Sequence, residues 1–407
     1  MALYLRLSVL QALMWAVPGC VVPLYSLALE DLGFGKLTIA LCCSTQAVAT
    51  VLASVLAGQV ADRWLSAERA LAICSGLAVA DLWWLSTISE PVSMFVATLF
   101  FWLLAGPIAL MGTTVCFAHL PLPAKQFGPI RMWGTIAWMV VGWLGGVWLA
   151  WRQTPPADVF RLGSLVAALL AGYALTLPST PPRPGKGFAP LAALRLFAHR
   201  GFVVYTLCLF GSSLTFPFTT QLTPLLLQQL GVSKEWMTPT LTVAQPLEVV
   251  GLFVLPGLLV NLGTRSTMIL GLAAWFSAMV ILSIGRPLGL VIPSLALNGI
   301  FITCFSITGQ IYVNGLAEGS DVRASVQGLF SCINGTGLLL GNLMAGGLRY
   351  TTGDHLPSAF VVAVGITGCM LVLFVWGFER PPRTVPPTGS AAPPALPQER
   401  RDEHQTV

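Results

Sequence analysis

The stretch FGPIRMWGTIAWMVVGWLGGVWLAW, residues 127–151, places one arginine at the start of a long apolar run. From Met132 to Trp151 the run contains no charged residue. Its length matches the roughly 20 residues that an α-helix needs to cross the ~30 Å hydrocarbon core of a bilayer. The pattern therefore predicts a membrane-spanning helix that begins beside Arg131.

Runs of the same kind fill the chain on both sides of this helix. The protein has 407 residues, of which 55% are hydrophobic and only 9% charged, whereas soluble proteins carry roughly 25% charged residues. The runs are continuously apolar, unlike the shorter, alternating strands of membrane barrels, so they predict helices. The predicted fold class is an all-α polytopic membrane protein with twelve spans, at 5–29, 37–61, 69–89, 92–117, 131–151, 158–177, 201–229, 238–260, 267–284, 288–314, 325–349 and 358–378.

The distribution of basic residues predicts the orientation of these spans. Placing both termini in the cytoplasm puts 15 of the 21 Lys and Arg residues on the inner side, as the positive-inside rule requires. The net charge of +5 is therefore a topology signal, and it gives no support to nucleic-acid binding. The first apolar run continues past Cys20 to Glu30, which is too long for a cleaved signal peptide. We therefore predict a retained first span in the inner (cell) membrane.

The Pro- and Gly-rich segment PSTPPRPGKGFAPLAALRLFAHR divides the spans into two sets of six. A weak repeat supports two related halves, because GQVADRW closes the second span and GLLVNLGTR closes the eighth. Internal repeats of this kind are typical of two-bundle transporters. The predicted domains are an N-terminal six-helix bundle, a cytoplasmic linker, a C-terminal six-helix bundle and a disordered cytoplasmic tail, at 1–177, 178–200, 201–378 and 379–407.

Two cytoplasmic loop segments carry the residues of a predicted gate. The loop after the second span contains Asp62 and Arg63, four and five residues after Gly58, and the segment SDVRASVQG before the eleventh span contains Arg323. Opposite charges at a cytoplasmic seam can pair between helices. A plain positive-inside loop explains the same residues equally well, so the physical pattern leaves both interpretations open.

Small residues inside the spans predict packing. Gly337 and Gly341 lie four residues apart in the eleventh span, a spacing typical of close helix contacts in membranes. The nine cysteines show no metal-ligand spacing, and we interpret them as small apolar packing residues. We expect neither a metal site nor a cofactor.

Two carboxylates inside the spans are the strongest functional signal. A charge at the centre of a membrane helix costs about 2.5–3.5 kcal/mol on insertion scales, so such residues usually face a cavity. Glu248 lies mid-span in TVAQPLEVVGLF, with Gln245 three residues earlier on the same helix face. Asp81 lies in LAVADLWWLS. Its presence in a span is explained equally well by hydration near the outer surface and by a functional role.

Several of these segments together resemble the bacterial nucleoside:proton symporter family of the major facilitator superfamily. The resemblance rests on FGPIRMWGTIAW, the Q-x-x-E of the eighth span, GQIYV in the tenth, VRASVQG before the eleventh and VADRWLSAERALAICSG. It implies two six-helix bundles around a central cavity, with the D-R loop as part of the inward gate. It also implies that Arg131, Thr135, Gln245 and Glu248 contact the nucleoside.

The chain departs from this family in the tenth span. Where relatives commonly carry a carboxylate, it reads NGIFITCFSITG, which offers Asn298 and Thr303. In the seventh span, Thr219 falls near a position at which members of this family carry a polar residue. We therefore expect these three residues to complete the substrate site. Asp81 is the candidate for a second proton-coupling group beside Glu248.

The predicted function is proton-coupled import of nucleosides by a monomeric, non-enzymatic transporter in the lipid bilayer. A carrier of another small solute, either a sugar-like importer or an exporter of drugs or metabolites, is the alternative in the same fold. A membrane sensor or an intramembrane enzyme is a further alternative, although the spans contain no Ser/His pair, paired Asp or HExxH motif.

Overall fold

The long apolar runs form helices in the computed structural model, which describes residues 2–60, 66–120, 123–180, 197–316, 323–353 and 355–379. The described part of the chain contains helices and connecting turns and no strand. The helices of the first half are α1 (Ala2–Val21), α2 (Tyr25–Asp31), α3 (Lys36–Val60), α4 (Ala67–Leu85), α5 (Pro91–His119), α6 (Pro123–Arg152) and α7 (Val159–Ala174). Those of the second half are α8 (Arg200–Pro217), α9 (Thr223–Gln229), α10 (Lys234–Leu241), α11 (Ala244–Asn261), α12 (Gly263–Ile284), α13 (Leu288–Leu295), α14 (Leu297–Phe301), α15 (Thr308–Leu316), α16 (Arg323–Thr352) and α17 (Leu356–Gly377).

Ten helices or helix combinations are long and apolar enough to cross a membrane, judged by length and composition over the described residues. At the predicted second span, the part of α3 assessed in this way, Lys36–Leu52, is an apolar helix; α4, at the predicted third span, is helical but is not among the ten. In α4 the reason is charge, because Glu68, Arg69 and Asp81 all fall within its 19 residues. The number of twelve spans and the position of the termini stay predictions.

The buried apolar side chains form two clusters that follow the two halves of the sequence. One cluster draws its buried members from residues 7–177. The other draws most of its buried members from residues 202–378, with a few from α1, α2, α6 and α7. The halves meet where α3 packs along α16 and where α6 packs against α10 and α11. This arrangement supports the predicted two-bundle division, which stays a prediction.

The predicted close-packing face of α16 is confirmed. A Cβ atom built at Gly337 would lie 2.6 Å from the Ser213 Cβ atom, and one at Gly341 would collide with the Leu214 carbonyl oxygen. Both neighbours belong to α8. The absence of a side chain at these two positions is therefore what lets α16 approach α8 so closely.

Three helices of the second half are interrupted at the depth of a central cavity. A π-helical turn, Phe218–Leu222, joins α8 to α9, and another, Ile302–Ile307, joins α14 to α15. Between α10 and α11 the helix breaks because Pro246 has no N–H for the Thr242 carbonyl, which accepts a 3.2 Å bond from the Gln245 N–H. Irregular backbone at membrane depth is tolerated where it lines a cavity.

Candidate functional site

A cavity of about 520 Å³ lies between the two halves. Helices α1, α3, α5 and α6 line one side, and segments between α8 and α14 line the other. Most of its wall is apolar or aromatic. The polar and aromatic side chains that line it are Trp15, Gln46, Thr50, Trp102, Arg131, Thr135, Trp138, Phe216, Thr219, Thr220, Thr223, Gln245, Glu248, Trp275, Ser294 and Asn298.

A three-residue contact joins the two halves across this cavity. The Arg131 Nη1 atom lies 3.5 Å from the Thr135 Oγ1 atom, one turn further along α6. The Thr135 hydroxyl donates to the Glu248 Oε1 atom of α11 at 3.2 Å. Arg131 and Glu248, both of which the structure describes, form no direct ion pair within 4 Å. The hydroxyl of Thr135 therefore mediates between the two charges, which remain open to a ligand.

The Arg131 guanidinium also stacks on an aromatic ring from the first helix. Its Cζ atom lies 4.1 Å from the centroid of the Trp15 ring. Gly134 lies directly beneath this contact, because a Cβ atom there would lie 2.6 Å from Trp15 Cδ1 and 2.9 Å from Arg131 Nη1. The glycine of R-M-W-G-T thus leaves the space in which arginine and indole meet.

The backbone around Glu248 is fixed by the helix pair that follows it. A Cβ atom at Gly299 would lie 2.7 Å from the Glu248 backbone nitrogen, so α14 packs directly on the start of α11. The Thr303 hydroxyl donates to the Glu248 carbonyl oxygen at 3.4 Å. Beside the carboxylate, Gln245 Oε1 and Asn298 Oδ1 are buried and have no hydrogen-bond partner within the described residues. These two amide oxygens are available to donors on a ligand.

The sequence model of the family described as "Nucleoside H+ symporter" matches residues 1–383. The chain belongs to the nucleoside H+ symporter family. Membership makes it a proton-coupled nucleoside transporter and a multi-pass protein of the inner membrane. The resemblance inferred from the sequence motifs is confirmed.

Curated relatives agree with this family, and a solved structure shares the fold. Xanthosine permease of Escherichia coli (strain K12) is 26% identical over 93% of this chain and 96% of its own. Nucleoside permease NupG of the same organism is 26% identical over 85% of this chain and 88% of its own. The crystal structure of nucleoside transporter NupG superposes with a TM-score of 0.80 at 22% identity, covering 93% of this chain and 100% of that one.

A more distant structure shares the fold. The human organic anion transporter MFSD10 (TETRAN) superposes with a TM-score of 0.63 at 16% identity, covering 91% of this chain and 98% of that one. At these identities the structures show the fold alone. The fold is all-α, with about 10–12 apolar helices, and it matches NupG and major facilitator transporters.

The structure separates the family's predicted site residues into two groups. Arg131, Thr135, Gln245, Glu248, Thr219 and Asn298 line the cavity. Thr303 lies outside its lining, is fully buried and bonds to backbone instead. The Thr219 hydroxyl donates to the Phe216 carbonyl oxygen at 2.7 Å, which uses its proton within the helix.

Asp81 lies away from the cavity. It is buried in α4, at 4% exposure, and neither carboxylate oxygen has a hydrogen-bond partner within the described residues. It is not among the residues that line the cavity. The predicted gate residues are not characterised: Asp62 and Arg63 lie outside the described residues, and the side-chain surroundings of Gly58 and Arg323 are not described either.

Sequence reasoning missed the aromatic part of the site. Trp15, Trp102, Trp138 and Trp275 all line the cavity, but they come from four different helices and form no motif. Trp275 is fixed by its indole N–H, which donates to the Thr215 hydroxyl at 2.9 Å. A chain with 13 tryptophans gives no sequence signal for which of them face a cavity.

Proposed function

We propose that the chain imports nucleosides with protons by alternating access, and that the Arg131–Thr135–Glu248 contact is the centre of its substrate site. The observation that carries the proposal is the Thr135 hydroxyl, which bridges the two charged groups between the halves. A cavity of about 520 Å³ lies within the roughly 300–1,000 Å³ of small-molecule sites.

The chemistry of the lining suits a nucleoside. The guanidinium of Arg131 donates to oxygens of the sugar or base, while the Glu248 carboxylate accepts from ribose hydroxyls or base N–H groups. Gln245 and Asn298 add amide groups that can both donate and accept. Trp102, Trp138 and Trp275 in the wall offer flat apolar faces for the base.

Glu248 is also the proposed proton-coupling group. A carboxylate in an apolar chamber is costly unless it is hydrogen-bonded or neutralised. Protonation neutralises Glu248, and the Thr135 bridge transmits the change to α6 of the other half. Asp81, buried without a partner in α4, is the proposed second proton-coupling group.

Two ion pairs between the halves would close the cavity on one side. At the end of α2, Glu30 forms a double contact with Arg349 of α16 at 2.6 and 2.8 Å, and Asp31 pairs with Lys234 of α10 at 2.7 Å. With twelve spans and both termini cytoplasmic, this is the outer face. The D-R loop and Arg323 are the proposed inner gate, and 1–177 and 201–378 the proposed moving bundles.

The test is uridine uptake into proteoliposomes under an imposed proton gradient. Glu248→Gln and Arg131→Ala are expected to lose most pH-dependent uptake, and Asp81→Asn tests the second carboxylate. Equal uptake by wild type, Glu248→Gln and Arg131→Ala would overturn the assigned site. A parallel thermal-shift screen with nucleosides, sugars and amphipathic drugs checks the substrate class, and stabilisation by drugs alone would overturn nucleoside transport.

A further inference from the structure

We propose that Trp15 is a positioning residue for substrate recognition, because it holds the Arg131 guanidinium in place through its indole face. The proposal rests on the proposed role of Arg131 in binding. Trp15 belongs to α1, whereas Arg131 belongs to α6, and these two helices pack along each other. The contact therefore ties the orientation of a site residue to the packing of two helices.

The surroundings of Arg131 leave the indole as its main support. Within the described residues, its side chain has a long 3.5 Å contact to the Thr135 hydroxyl and no carboxylate within ion-pair distance. An arginine side chain with no bound partner keeps most of its rotational freedom. A further contact is therefore needed to fix the plane of the Arg131 guanidinium. Stacking on an aromatic face does this, and it favours arginine over lysine because the guanidinium is flat.

The placement of the Trp15 ring indicates that its face, rather than its N–H, determines its position. A buried tryptophan N–H usually finds a hydrogen-bond partner. The Trp15 Nε1 atom is buried without one within the described residues, while the ring lies 4.1 Å from Arg131 Cζ. Any rotation of the ring that moved the N–H toward a partner would end the stacking.

The missing side chain at Gly134 is a second feature of the same contact. Any side chain at this position would meet Trp15 Cδ1 at 2.6 Å and Arg131 Nη1 at 2.9 Å. A methyl group there cannot be added without moving the ring or the guanidinium, because Cβ contacts below about 3.0 Å do not occur in real structures. Gly134→Ala therefore perturbs the contact without removing either partner.

The test compares uridine KM and maximal uptake rate in proteoliposomes for Trp15→Phe, Trp15→Leu and Gly134→Ala. Trp15→Leu is expected to raise KM about 3- to 30-fold, the range of cation–π contacts from exposed to desolvated sites, with a smaller effect on the maximal rate. Trp15→Phe keeps an aromatic face and should recover most of the affinity. Trp376→Leu is the matched control, since Trp376 is 83% exposed on α17, and it should leave KM unchanged.

A double-mutant comparison separates positioning from general packing. If Trp15 acts through Arg131, Trp15→Leu should add no loss of uridine binding in an Arg131→Ala background. Additive losses, or a Trp15→Leu protein with wild-type KM, would overturn the proposal. If Arg131→Ala itself binds uridine normally, the proposed site fails, which is a different outcome from a failure of Trp15 alone. Should Trp15→Leu not fold, Trp15→Phe and Gly134→Ala carry the same comparison.

Discussion

Replacing Arg349 by alanine is expected to open the cavity toward the face at which α2 ends. Arg349 is 4% exposed and makes a double contact with the Glu30 carboxylate of the other half, at 2.6 and 2.8 Å. The pair can hold the two halves together only while this face is closed. Its loss therefore destabilises the closed state and leaves the open state unchanged.

The size of the effect follows from the burial of the two partners. Breaking a fully buried pair costs about 3–5 kcal/mol, and an exposed pair contributes about 0.2–1 kcal/mol. The Glu30 side chain is 36% exposed, which screens the contact, so we expect about 1–3 kcal/mol. At 1.4 kcal/mol per tenfold change, the equilibrium between closed and open states shifts by about 5- to 150-fold.

The assay is labelling of an introduced cysteine by a membrane-impermeant maleimide. Thr220→Cys lines the cavity, so its labelling from the outer side reports opening of this face. Arg161→Ala is the matched control, because Arg161 pairs with Asp158 of the same half at 2.8 Å. Faster labelling with Arg349→Ala and unchanged labelling with Arg161→Ala support the reasoning. Equal labelling rates in both variants would refute it.

Two further predictions concern stability in detergent. Gly341→Ala is expected to lower the free energy of unfolding by about 1–3 kcal/mol through overpacking against α8. Gly347 lies on the same helix but faces open space, so Gly347→Ala should leave the free energy of unfolding unchanged. Thermal unfolding of the two variants measures the difference. The pKa of Glu90, the N-cap of α5, lies below its usual range because the Ser93 hydroxyl and N–H donate to it. The stability that the Glu90 carboxylate contributes is therefore present above the ordinary pKa of a glutamate and is lost as pH falls through the lowered pKa. Glu90→Ala should lower the Tm at neutral pH and make no difference to the Tm in strong acid. A constant Tm difference at all pH values would contradict this reasoning.

The sequence predicted the parts of the site that depend on local periodicity or on a motif. Arg131 and Thr135 are four residues apart on one helix, so their proximity follows from helix geometry. Glu248 lies 113 residues after Thr135, and only the family resemblance linked them. Trp15 carries no sequence signal at all, since its role depends on how α1 packs along α6.

The prediction for Thr303 followed from its polar side chain in the tenth span and took no account of the helix face on which it lies. Asn298 and Ile302 are four residues apart and both line the cavity, as one helix face would. Thr303 is the next residue, at the start of the π-helical turn Ile302–Ile307, and it is directed toward α11. An α-helix turns about 100° per residue, so Thr303 leaves the face that Asn298 and Ile302 share, and choosing polar residues of the span without regard to that face included it.

The charges of the cavity explain why an indole face matters for a proton-coupled carrier. Of the described residues that line the cavity, Arg131 and Glu248 are the charged ones. While Glu248 is ionised the two charges balance, but a proton on Glu248 leaves the guanidinium positive, and an uncharged nucleoside does not compensate it. A buried cation that has lost its neutralising partner carries a desolvation cost.

The face of Trp15 offsets part of this cost, because a cation–π contact contributes about 0.5–2 kcal/mol. This contribution matters most in the proton-loaded state, because a protonated Glu248 no longer neutralises the Arg131 guanidinium. The loss of uptake in Trp15→Leu should therefore be larger at acidic than at neutral outer pH, whereas a residue that only filled space would give the same loss at both. Uridine uptake by wild type and Trp15→Leu, measured from acidic to neutral outer pH, distinguishes a Trp15 that stabilises the charge from one that only fills space.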